Sequence, residues 1–504
     1  MLPIGLALTV TLAAWLALWG LSRDRQRAAL ATSLLVALFF AFNQCRDALS
    51  ISMGLLSQLW VRREYDVPPL TVLIVLALGA APVLFLIFRR IKEPGRWSRV
   101  LNRFALILVL LPASRIAMAR WREPEAPILQ HRDGLPFPTR PARRPDIYYI
   151  VLDAYARSDV MKDLFDFDNE AFLQRLEKKG FYVARQSRSN YCQTPLSLSS
   201  TLNCDYLDAL VAPDLHDTTA LFDLISENLV IRSLRPLGYK FVSYSTGFDP
   251  TECSNADLYL GPRHPADNFQ AMLVRMTPLG YLTAQGVFWD HYVAVRNRVL
   301  FVLDHLPEIT RDTAPTFAFA HIVSPHHPFV FGENGEDISP RGSTPHVVGT
   351  RQVLDFSRPE KYREGYRKQA IFLTKRVEQT IDQILAQSPE PPIIILQSDH
   401  GSGLRHHLDD LEKTDLRERL SILNCYYFPN RNYEGLTQTI TPVNSFRVLF
   451  NNNLGTKLPT LENRNLFSTY GDPFKFIDVT GRLDSDRDRG REYTPPEFYS
   501  GMVH

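Results

Sequence analysis

The stretch PPIIILQSDHG, residues Pro391–Gly401, decides the fold of the larger part of this chain. Its run of β-branched and aliphatic residues is typical of a buried strand, and Gly401 frees the backbone for a tight turn. Two residues of metal-ligand type, Asp399 and His400, stand between the strand and the glycine. A buried strand seldom ends in this way, so the pattern indicates a site at its carboxyl end.

Similar apolar runs alternate with helical patterns from Asp146 onward. The predicted strands are 147–153, 181–184, 239–245, 316–323, 391–401 and 420–428, and the predicted helices are 169–179, 229–236 and 360–387. This alternation is typical of an α/β domain with a mostly parallel central sheet and helices on both faces. The sequence lacks a P-loop, a G-x-G-x-x-G motif and a G-x-S-x-G motif.

Ligands of such sheets bind at the carboxyl ends of the strands. Residues of ligand type stand at or near the carboxyl ends of three of these strands. They are Asp153, then Asp399 with His400, then His321, His326 and His327. Carboxylate and imidazole groups gathered at one edge suit Zn or Mn. Each residue also has an ordinary interpretation, because an Asp at a strand end often caps a turn and a lone His often packs in a core.

The first part of the chain is strongly apolar. We predict a transmembrane helical domain, residues 1–118, with four helices at 2–21, 28–44, 67–88 and 100–118. The second segment is slightly short, and the fourth is bounded by arginines that would have to snorkel. A Pro/Arg-rich linker, 119–146, leads to the domain 147–504 and is typical of a stiff, extended spacer.

The loops predict the orientation. Basic residues outnumber acidic ones in 22–27 and 89–103 but not in 45–66, so the first and third loops face the cytoplasm. Four helices then place both termini and the large domain outside. If only three helices span, with the amino terminus inside, the large domain still lies outside. We therefore predict a multi-pass protein of the bacterial cytoplasmic (inner) membrane with a periplasmic domain.

Charge and cysteine content narrow the function. The 504-residue chain has a formal net charge of +2, which argues against general nucleic-acid binding. Four cysteines fall in the predicted outside domain, where an even number allows two disulfides. They are Cys192, Cys204, Cys253 and Cys425. No C-x-x-C pair indicates a zinc-thiolate site.

The stretch SNYCQTPLSLSSTLN, Ser189–Asn203, contains six Ser or Thr hydroxyls and one thiol but no charged residue. Together with Asp153, His326-x-Pro328 and Asp399-His400-Gly401, it resembles the sulfatase-like branch of the alkaline phosphatase superfamily. Within that branch the chain is similar to lipoteichoic acid synthases and phosphoethanolamine transferases, which also join a helical membrane domain to an extracytoplasmic catalytic domain.

The resemblance implies roles for individual residues. Thr194 would be the nucleophile and a metal ligand, and Asp153, Asp399 and His400 would complete the metal site. His326 would contact the substrate, and it is placed either to bind phosphate oxygens or to protonate the leaving group. We expect further substrate contacts from His321, His327, Arg405, His406 and His407, of which His406 or His407 would match a later His of the family.

Departures from the family pattern limit the chemistry. Cys192 lacks the Cys-x-Pro-x-Arg context of sulfatases, so sulfate-ester hydrolysis by a formylglycine route is not expected. Asp153 stands where the transferases generally have Glu, and Ser402 follows the Asp-His-Gly motif where Glu is frequent. The Asp-x-x-x-His spacing of a second zinc site is absent from the large domain, so we expect one divalent metal ion.

These features predict a metal-dependent phospho-group transferase. The membrane domain favours a phospholipid donor whose phosphoglycerol or phosphoethanolamine head group passes to a cell-envelope glycan or lipid acceptor. A membrane-anchored phosphodiester, phosphate-ester or sulfate-ester hydrolase is the first alternative. A catalytically inactive envelope scaffold is the second, and the joint presence of Thr194, Asp153, Asp399 and His400 argues against it.

Overall fold

The structure, a computed structural model, describes residues 2–57, 67–121, 134–135, 137, 143–212, 215–263, 273–274, 276–280, 291–311, 314–339 and 359–484. These residues form two compact units. One contains residues 2–121 together with the described residues between 273 and 280, and the other contains the remainder. Much of the predicted linker 119–146, and the tail beyond Asp484, lie outside the described residues.

The first unit is helical. Its helices are α1 (Leu2–Ser22), α2 (Arg25–Phe40), α3 (Phe42–Ser57), α4 (Pro69–Phe85), which continues as a π-helical turn Leu86–Arg90, and α5 (Pro94–Trp121). Asp24 begins α2, because its carboxylate accepts hydrogen bonds from the backbone N–H groups of Gln26 and Arg27. Apolar side chains remain exposed along most of α4 and α5, as in helices that face lipid.

Two described helical segments are long and apolar enough to cross a membrane, Pro69–Arg90 and Pro94–Met118. They overlap the third and fourth predicted spans. The second predicted span, 28–44, is not one straight helix, because the chain bends by 54° between Arg25–Phe40 and Phe42–Ser50. Counted as one span, this bent pair makes a third candidate. The apolar stretch Ala7–Ser22 of α1 is shorter than these spans.

The second unit is built on a seven-stranded sheet. Its strands are β1 (Ile147–Leu152), β2 (Tyr182–Val183), β3 (Lys240–Tyr244), β4 (Leu258–Leu260), β5 (Thr316–Ile322), β6 (Ile393–Gln397) and β7 (Asn424–Tyr427). The order across the sheet is β2-β7-β6-β1-β5-β3-β4. All neighbours pair in parallel except the two pairs that involve β7. The prediction of a mostly parallel central sheet is therefore confirmed.

Helices cover both faces of the sheet. They are α6 (Ser158–Phe165), α7 (Glu170–Lys179), α8 (Thr194–Asn203), α9 (Ala220–Ser226), α10 (Leu229–Leu234), α11 (His291–His305), α12 (Pro359–Gln387), α13 (Leu416–Leu420), α14 (Ser445–Leu454) and α15 (Thr480–Asp484). A small antiparallel pair, β8 (Leu466–Phe467) and β9 (Ile477–Asp478), completes the unit.

The strand β1 shows how the core is divided. Tyr148, Ile150 and Leu152 point to a core that includes residues of α6, α7, α11 and α12, whereas alternate residues point to a core that includes residues of α8, α10 and α14. A strand buried on both faces explains the continuous apolar run in the sequence. Burial of each large apolar side chain contributes about 1.5–3 kcal/mol, so the centre of the sheet is a rigid base for the residues at its edge.

No disulfide joins the cysteines, all five of which lie in the described part of the chain. The four in the α/β unit are buried, so the two disulfides that their even number allows are not present. Burial raises the pKa of the Cys192 thiol, the thiol that lies closest in sequence to Thr194. Cys192 is therefore a buried residue of the core.

Candidate functional site

Three neighbouring parallel strands, β6, β1 and β5, end at the same edge of the sheet. Val151 of β1 pairs with Gln397 of β6 on one side and with His321 of β5 on the other. Continued by two residues, this register brings Asp153 level with Asp399. The edge therefore collects the ligand-type residues that the sequence places at strand ends.

The side chains of Asp153, His321 and Asp399 form a compact buried group. One ligand atom from each lies within 4.8 Å of the other two. The His321 Nε2 atom lies 3.5 Å from an Asp153 carboxylate oxygen. The side chain of Asp399 accepts hydrogen bonds from the backbone N–H groups of Ala154 and His400 through its Oδ1 atom, which leaves Oδ2 to face the group.

The chemistry of this group fits a cation. Asp153 Oδ1, Asp399 Oδ2 and His321 Nε2 are fully buried and have no hydrogen-bond partner among the described residues. Buried carboxylates without partners are costly, so such groups either protonate, pair or bind a metal ion. Burial opposes ionisation of Asp153, but the neighbouring His326, His321 and His400 hold its pKa below the usual range. Its buried oxygen without a partner among the described residues therefore suits Asp153 as a donor to a cation.

His400 points its Nε2 atom into the same group. This atom lies 3.1 Å from Thr194 Oγ1, 3.4 Å from Asp399 Oδ2 and 3.7 Å from Asp153 Oδ1. The Nδ1 atom lies 2.9 Å from the Gly401 carbonyl oxygen, to which it can only donate. Because Nδ1 then holds the proton, the lone pair is on Nε2. Burial, with the charge of Arg419, lowers the pKa of His400 to about 4, which favours this neutral imidazole.

Thr194 is the first residue of α8, and its hydroxyl is largely buried beside His400. The preceding Gln193 fixes this entry, since its amide nitrogen donates to the backbone oxygens of Ser468 and Thr469. The backbone N–H groups of the first helical turn have no partner within the helix and favour an anion. The hydroxyl of Thr194 therefore lies between side chains that could bind a cation and a helix amino terminus that favours an anion.

Two other hydroxyls of the same stretch have a structural role. Ser189 Oγ and Ser197 Oγ both donate to the backbone oxygen of Asp399, the latter at 2.7 Å. They hold the Asp-His-Gly turn against α8. The Ser and Thr hydroxyls of Ser189–Asn203 therefore have different roles. Thr194 faces the ligand group, whereas Ser189 and Ser197 position Asp399.

Further residues orient the group without belonging to it. The Thr251 hydroxyl lies 2.9 Å from His321 Nδ1 and 3.2 Å from the Phe248 carbonyl oxygen, to which it can donate. This arrangement leaves His321 Nε2 to face Asp153. The turn after Asp153 has a left-handed residue, Ala154, with φ of 64°. The Tyr366 hydroxyl supports this turn, donating to the Ala154 carbonyl at 2.7 Å and accepting from the Ala156 N–H at 3.0 Å.

Replacing Tyr366 by phenylalanine should destabilise the protein by about 2–4 kcal/mol, because two buried backbone groups would lose their partner. Thermal unfolding of the full-length protein in detergent measures the change. Tyr244→Phe is the matched control, since the Tyr244 hydroxyl is equally buried but has no hydrogen-bond partner in the part of the chain that the structure describes. Equal melting temperatures for the two variants would refute the role given to Tyr366.

Gly401 is required by close approach. A Cβ atom at this position would lie 2.0 Å from the Glu418 carbonyl oxygen, whereas one at Gly403 would meet only ordinary contacts. The Gly401 N–H donates to the Arg419 carbonyl at 2.7 Å. The glycine thus lets the Asp-His-Gly turn pack on the segment around α13.

The segment after β5 brings His326 beside the group. The backbone N–H of His326 donates to the Asp153 carbonyl at 3.1 Å, and the ring centroid lies 6.4 Å from that of His400. The ring stacks on that of His327 with centroids 4.2 Å apart. Burial, and then the charge of His326, hold the pKa of His327 well below its ordinary value. Both histidines therefore lie next to the ligand group.

The histidines after the Asp-His-Gly motif are separated by the structure. His406 is buried at Nε2 without a partner among the described residues, and its ring lies 6.2 Å from that of Tyr470. His407 instead faces the loop that follows it, where Thr414 and Asp409 contact it. Arg405 lies 3.4 Å from Asp415 in an ion pair. The substrate contacts predicted for Arg405 and His407 stay predictions.

The structure changes the grouping of some residues and adds others. His321, which the family resemblance places among substrate contacts, lies with the carboxylates. Thr251 and Arg419 carry no local signal in the sequence, because each is a common residue in a segment without a recognisable motif. Only the packing of distant segments brings them to the group.

Comparison with known proteins gives a structural likeness. No family model and no curated protein matches the sequence. The C-terminal periplasmic domain of EcEptC from Escherichia coli, in complex with Zn, matches 71% of this chain and 100% of its own length at 12% identity, with a TM-score of 0.45. BT1596, a 2-O GAG sulfatase, matches 65% of this chain and 73% of its own length at 11% identity, with a TM-score of 0.43.

An integral membrane protein matches a larger part of the chain. Lipooligosaccharide phosphoethanolamine transferase A from Neisseria meningitidis matches 82% of this chain and 80% of its own length at 13% identity, with a TM-score of 0.35. The chain is thus similar to a phosphoethanolamine transferase and a sulfatase, two kinds of enzyme within the branch that its motifs resemble. At these low values no residue role or activity of this chain follows from the likeness, and the resemblance to lipoteichoic acid synthases stays a prediction.

Proposed function

We propose that this protein is a metal-dependent phospho-group transferase in which Thr194 is the nucleophile. The observation that carries the proposal is the position of the Thr194 hydroxyl, 3.1 Å from His400 Nε2. His400 in turn adjoins three buried ligand atoms that have no hydrogen-bond partner within the described ranges. A hydroxyl at a helix amino terminus next to a metal-type donor set suits transfer of an anionic group.

The metal ion would be held by Asp153, Asp399, His400 and Thr194, with His321 added by its geometry. Oxygen donors with two imidazoles suit one divalent ion, Zn or Mn. When bound, the ion would lower the pKa of the Thr194 hydroxyl and offset the charge of the phospho group. The other steps belong to the residues of the chain.

In the first step, Thr194 Oγ1 forms a bond to phosphorus and the ester bond to the leaving alcohol breaks. The hydroxyl proton passes to water, and His326 supplies a proton to the leaving oxygen. In the second step, an acceptor hydroxyl attacks the phospho-threonine and gives its proton to His326, which lost one in the first step. The Thr194–phosphorus bond breaks, and water returns a proton to Thr194 Oγ1. Substrate contacts from His327, Arg405, His406 and His407 would position these groups. His321, predicted as a further substrate contact, would instead hold the metal ion.

We propose a phospholipid as donor, with the phosphoglycerol or phosphoethanolamine head group passing to an envelope glycan or lipid. The apolar helices of the first unit support a location in the bacterial inner membrane, where the donor ester lies at the bilayer surface. The α/β domain would face the periplasm, as the loop charges predict.

The test uses the full-length protein in detergent with a divalent metal ion and a phospholipid labelled on an acyl chain. Release of labelled diacylglycerol only when a saccharide or lipid acceptor is present would support the transferase. Release of labelled diacylglycerol without an acceptor would show a hydrolase and contradict the transferase. Cleavage of an aryl sulfate but not of the phospholipid would indicate a sulfatase. No turnover together with no metal by elemental analysis would contradict enzymatic function and leave an envelope scaffold.

A further inference from the structure

Arg419 lies in α13 and is almost completely buried, with 4% of its surface exposed. Its Nε atom donates to the Cys192 carbonyl at 2.8 Å, and its Nη1 atom donates to the Gly401 carbonyl at 3.3 Å. Cys192 is two residues before Thr194, and Gly401 directly follows His400. The guanidinium therefore bridges the two backbone segments that carry the nucleophile and the Asp-His-Gly ligands.

The charge of Arg419 is not matched by a carboxylate. Among the described residues, no ion pair joins Arg419 to a carboxylate within 4.0 Å, and the hydrogen bonds of its side chain come from Nε and Nη1. The adjacent Glu418 points elsewhere, since it accepts hydrogen bonds from Ser402 and from the backbone of Leu404 and Arg405. A buried cation with two carbonyl contacts but no counter-charge is costly unless an anion completes the site.

The imidazole of His406 interacts electrostatically with Arg419. Burial, and next the charge of Arg419, hold the pKa of His406 well below its ordinary value. His406 Nε2 is a buried ring nitrogen without a partner among the described residues. A guanidinium with a spare N–H edge, near an imidazole with a spare nitrogen, offers hydrogen-bond donors to one anion.

We propose that Arg419, with His406, forms an anion subsite that binds the non-bridging oxygens of the phospho group while Thr194 attacks it. The proposal rests on the proposed function. It identifies the residues that would hold the phospho group on the side away from the carboxylates Asp153 and Asp399. The ligand class is a phosphodiester or phosphate anion, because a planar guanidinium matches two oxygens of such a group. Arg419 would be a residue that touches substrate.

The test is the binding of inorganic phosphate to the metal-loaded full-length protein in detergent, measured by calorimetry. Arg419→Lys should weaken phosphate binding roughly 10- to 100-fold, the size expected when charge-assisted hydrogen bonds are lost. Arg447→Lys is the matched control. Arg447 is also buried, and its guanidinium likewise donates to two backbone carbonyls, those of Cys204 and Pro459, at the other end of α8.

A purely structural Arg419 would give a different pattern. Arg419→Lys and Arg447→Lys would then lower the melting temperature alike and leave phosphate affinity unchanged, which would overturn the proposal. Absence of phosphate binding by the metal-loaded wild type would also overturn it. If Arg419→Lys does not fold, His406→Gln should still weaken phosphate binding, and unchanged binding would count against the subsite.

The outcome is separable from that of the proposed function. Phosphate binding that depends on Arg419, in a protein that turns over no phospholipid, would keep the subsite and reject the transferase. Phospholipid turnover by the wild type, together with a phosphate affinity that Arg419→Lys does not change, would keep the transferase and reject the subsite.

Discussion

Replacing Thr194 by alanine is expected to reduce phospholipid turnover by roughly 10⁴-fold or more, because loss of the nucleophile removes the covalent step. The hydroxyl lies 3.1 Å from His400 Nε2, and alanine keeps the Cβ atom that packs at the start of α8. The fold should remain intact. Intact-mass spectrometry after lipid exposure should show a phospho adduct on Thr194 in the wild type and none in the variant.

Two variants of the same helix serve as controls. Thr201→Ala removes an equally buried threonine hydroxyl that donates within α8 to the Ser197 carbonyl, so turnover should be near that of the wild type. Ser197→Ala should be far milder than Thr194→Ala, because Ser189 still holds the Asp399 carbonyl. Substantial activity in Thr194→Ala would show that another group is the nucleophile.

Replacing Asp399 by asparagine is expected to weaken binding of Zn or Mn by more than about 100-fold, since changes to residues that only orient ligands already cost 10–100-fold. The amide oxygen of asparagine can keep the hydrogen bonds from the N–H groups of Ala154 and His400. The change therefore removes the ligand oxygen without opening the turn. Elemental analysis and calorimetric titration of the full-length protein measure the loss.

The same variant gives a second readout. Without metal, its melting temperature should exceed that of the wild type, because one of two neighbouring buried carboxylates is made neutral. Asp415→Asn is the control, because asparagine can keep the cap to the Glu418 N–H and metal content should not change. Full metal occupancy in Asp399→Asn would remove Asp399 from the ligand set.

Local patterns in the sequence predicted most of the α/β unit. Buried strands such as 147–153 and 316–323 are visible because both faces of the sheet are covered, so their apolar runs are continuous. The run 420–428 was less informative, because only Asn424–Tyr427 forms the strand and α13 ends at Leu420 within the predicted range. The bend between α2 and α3 was also missed, since no proline marks it.

The site was predictable where ligand-type residues adjoin strands. Asp153, Asp399 and His400 stand directly after apolar runs, and parallel strands bring such ends together. Arg405 forms an ion pair with Asp415, and His407 accepts a hydrogen bond from the Asp409 N–H. The substrate contacts predicted for these two residues stay predictions, because the sequence does not determine which way a side chain points in a turn.

The sequence by itself determined the division into an apolar helical part and an α/β part, the strand ends that carry ligands, and the choice of Thr194 through its family resemblance. Only the tertiary structure decided which histidine near the end of β5 joins the carboxylates, namely His321. It also decided that Ser189 and Ser197 hold the Asp399 carbonyl and that Arg419 bridges Cys192 and Gly401. The physical reason is range. Strand and helix patterns arise from burial of neighbouring residues. Many hydrogen bonds at the site instead join residues far apart in the sequence, as in the 2.8 Å contact between Arg419 and Cys192, which are 227 residues apart.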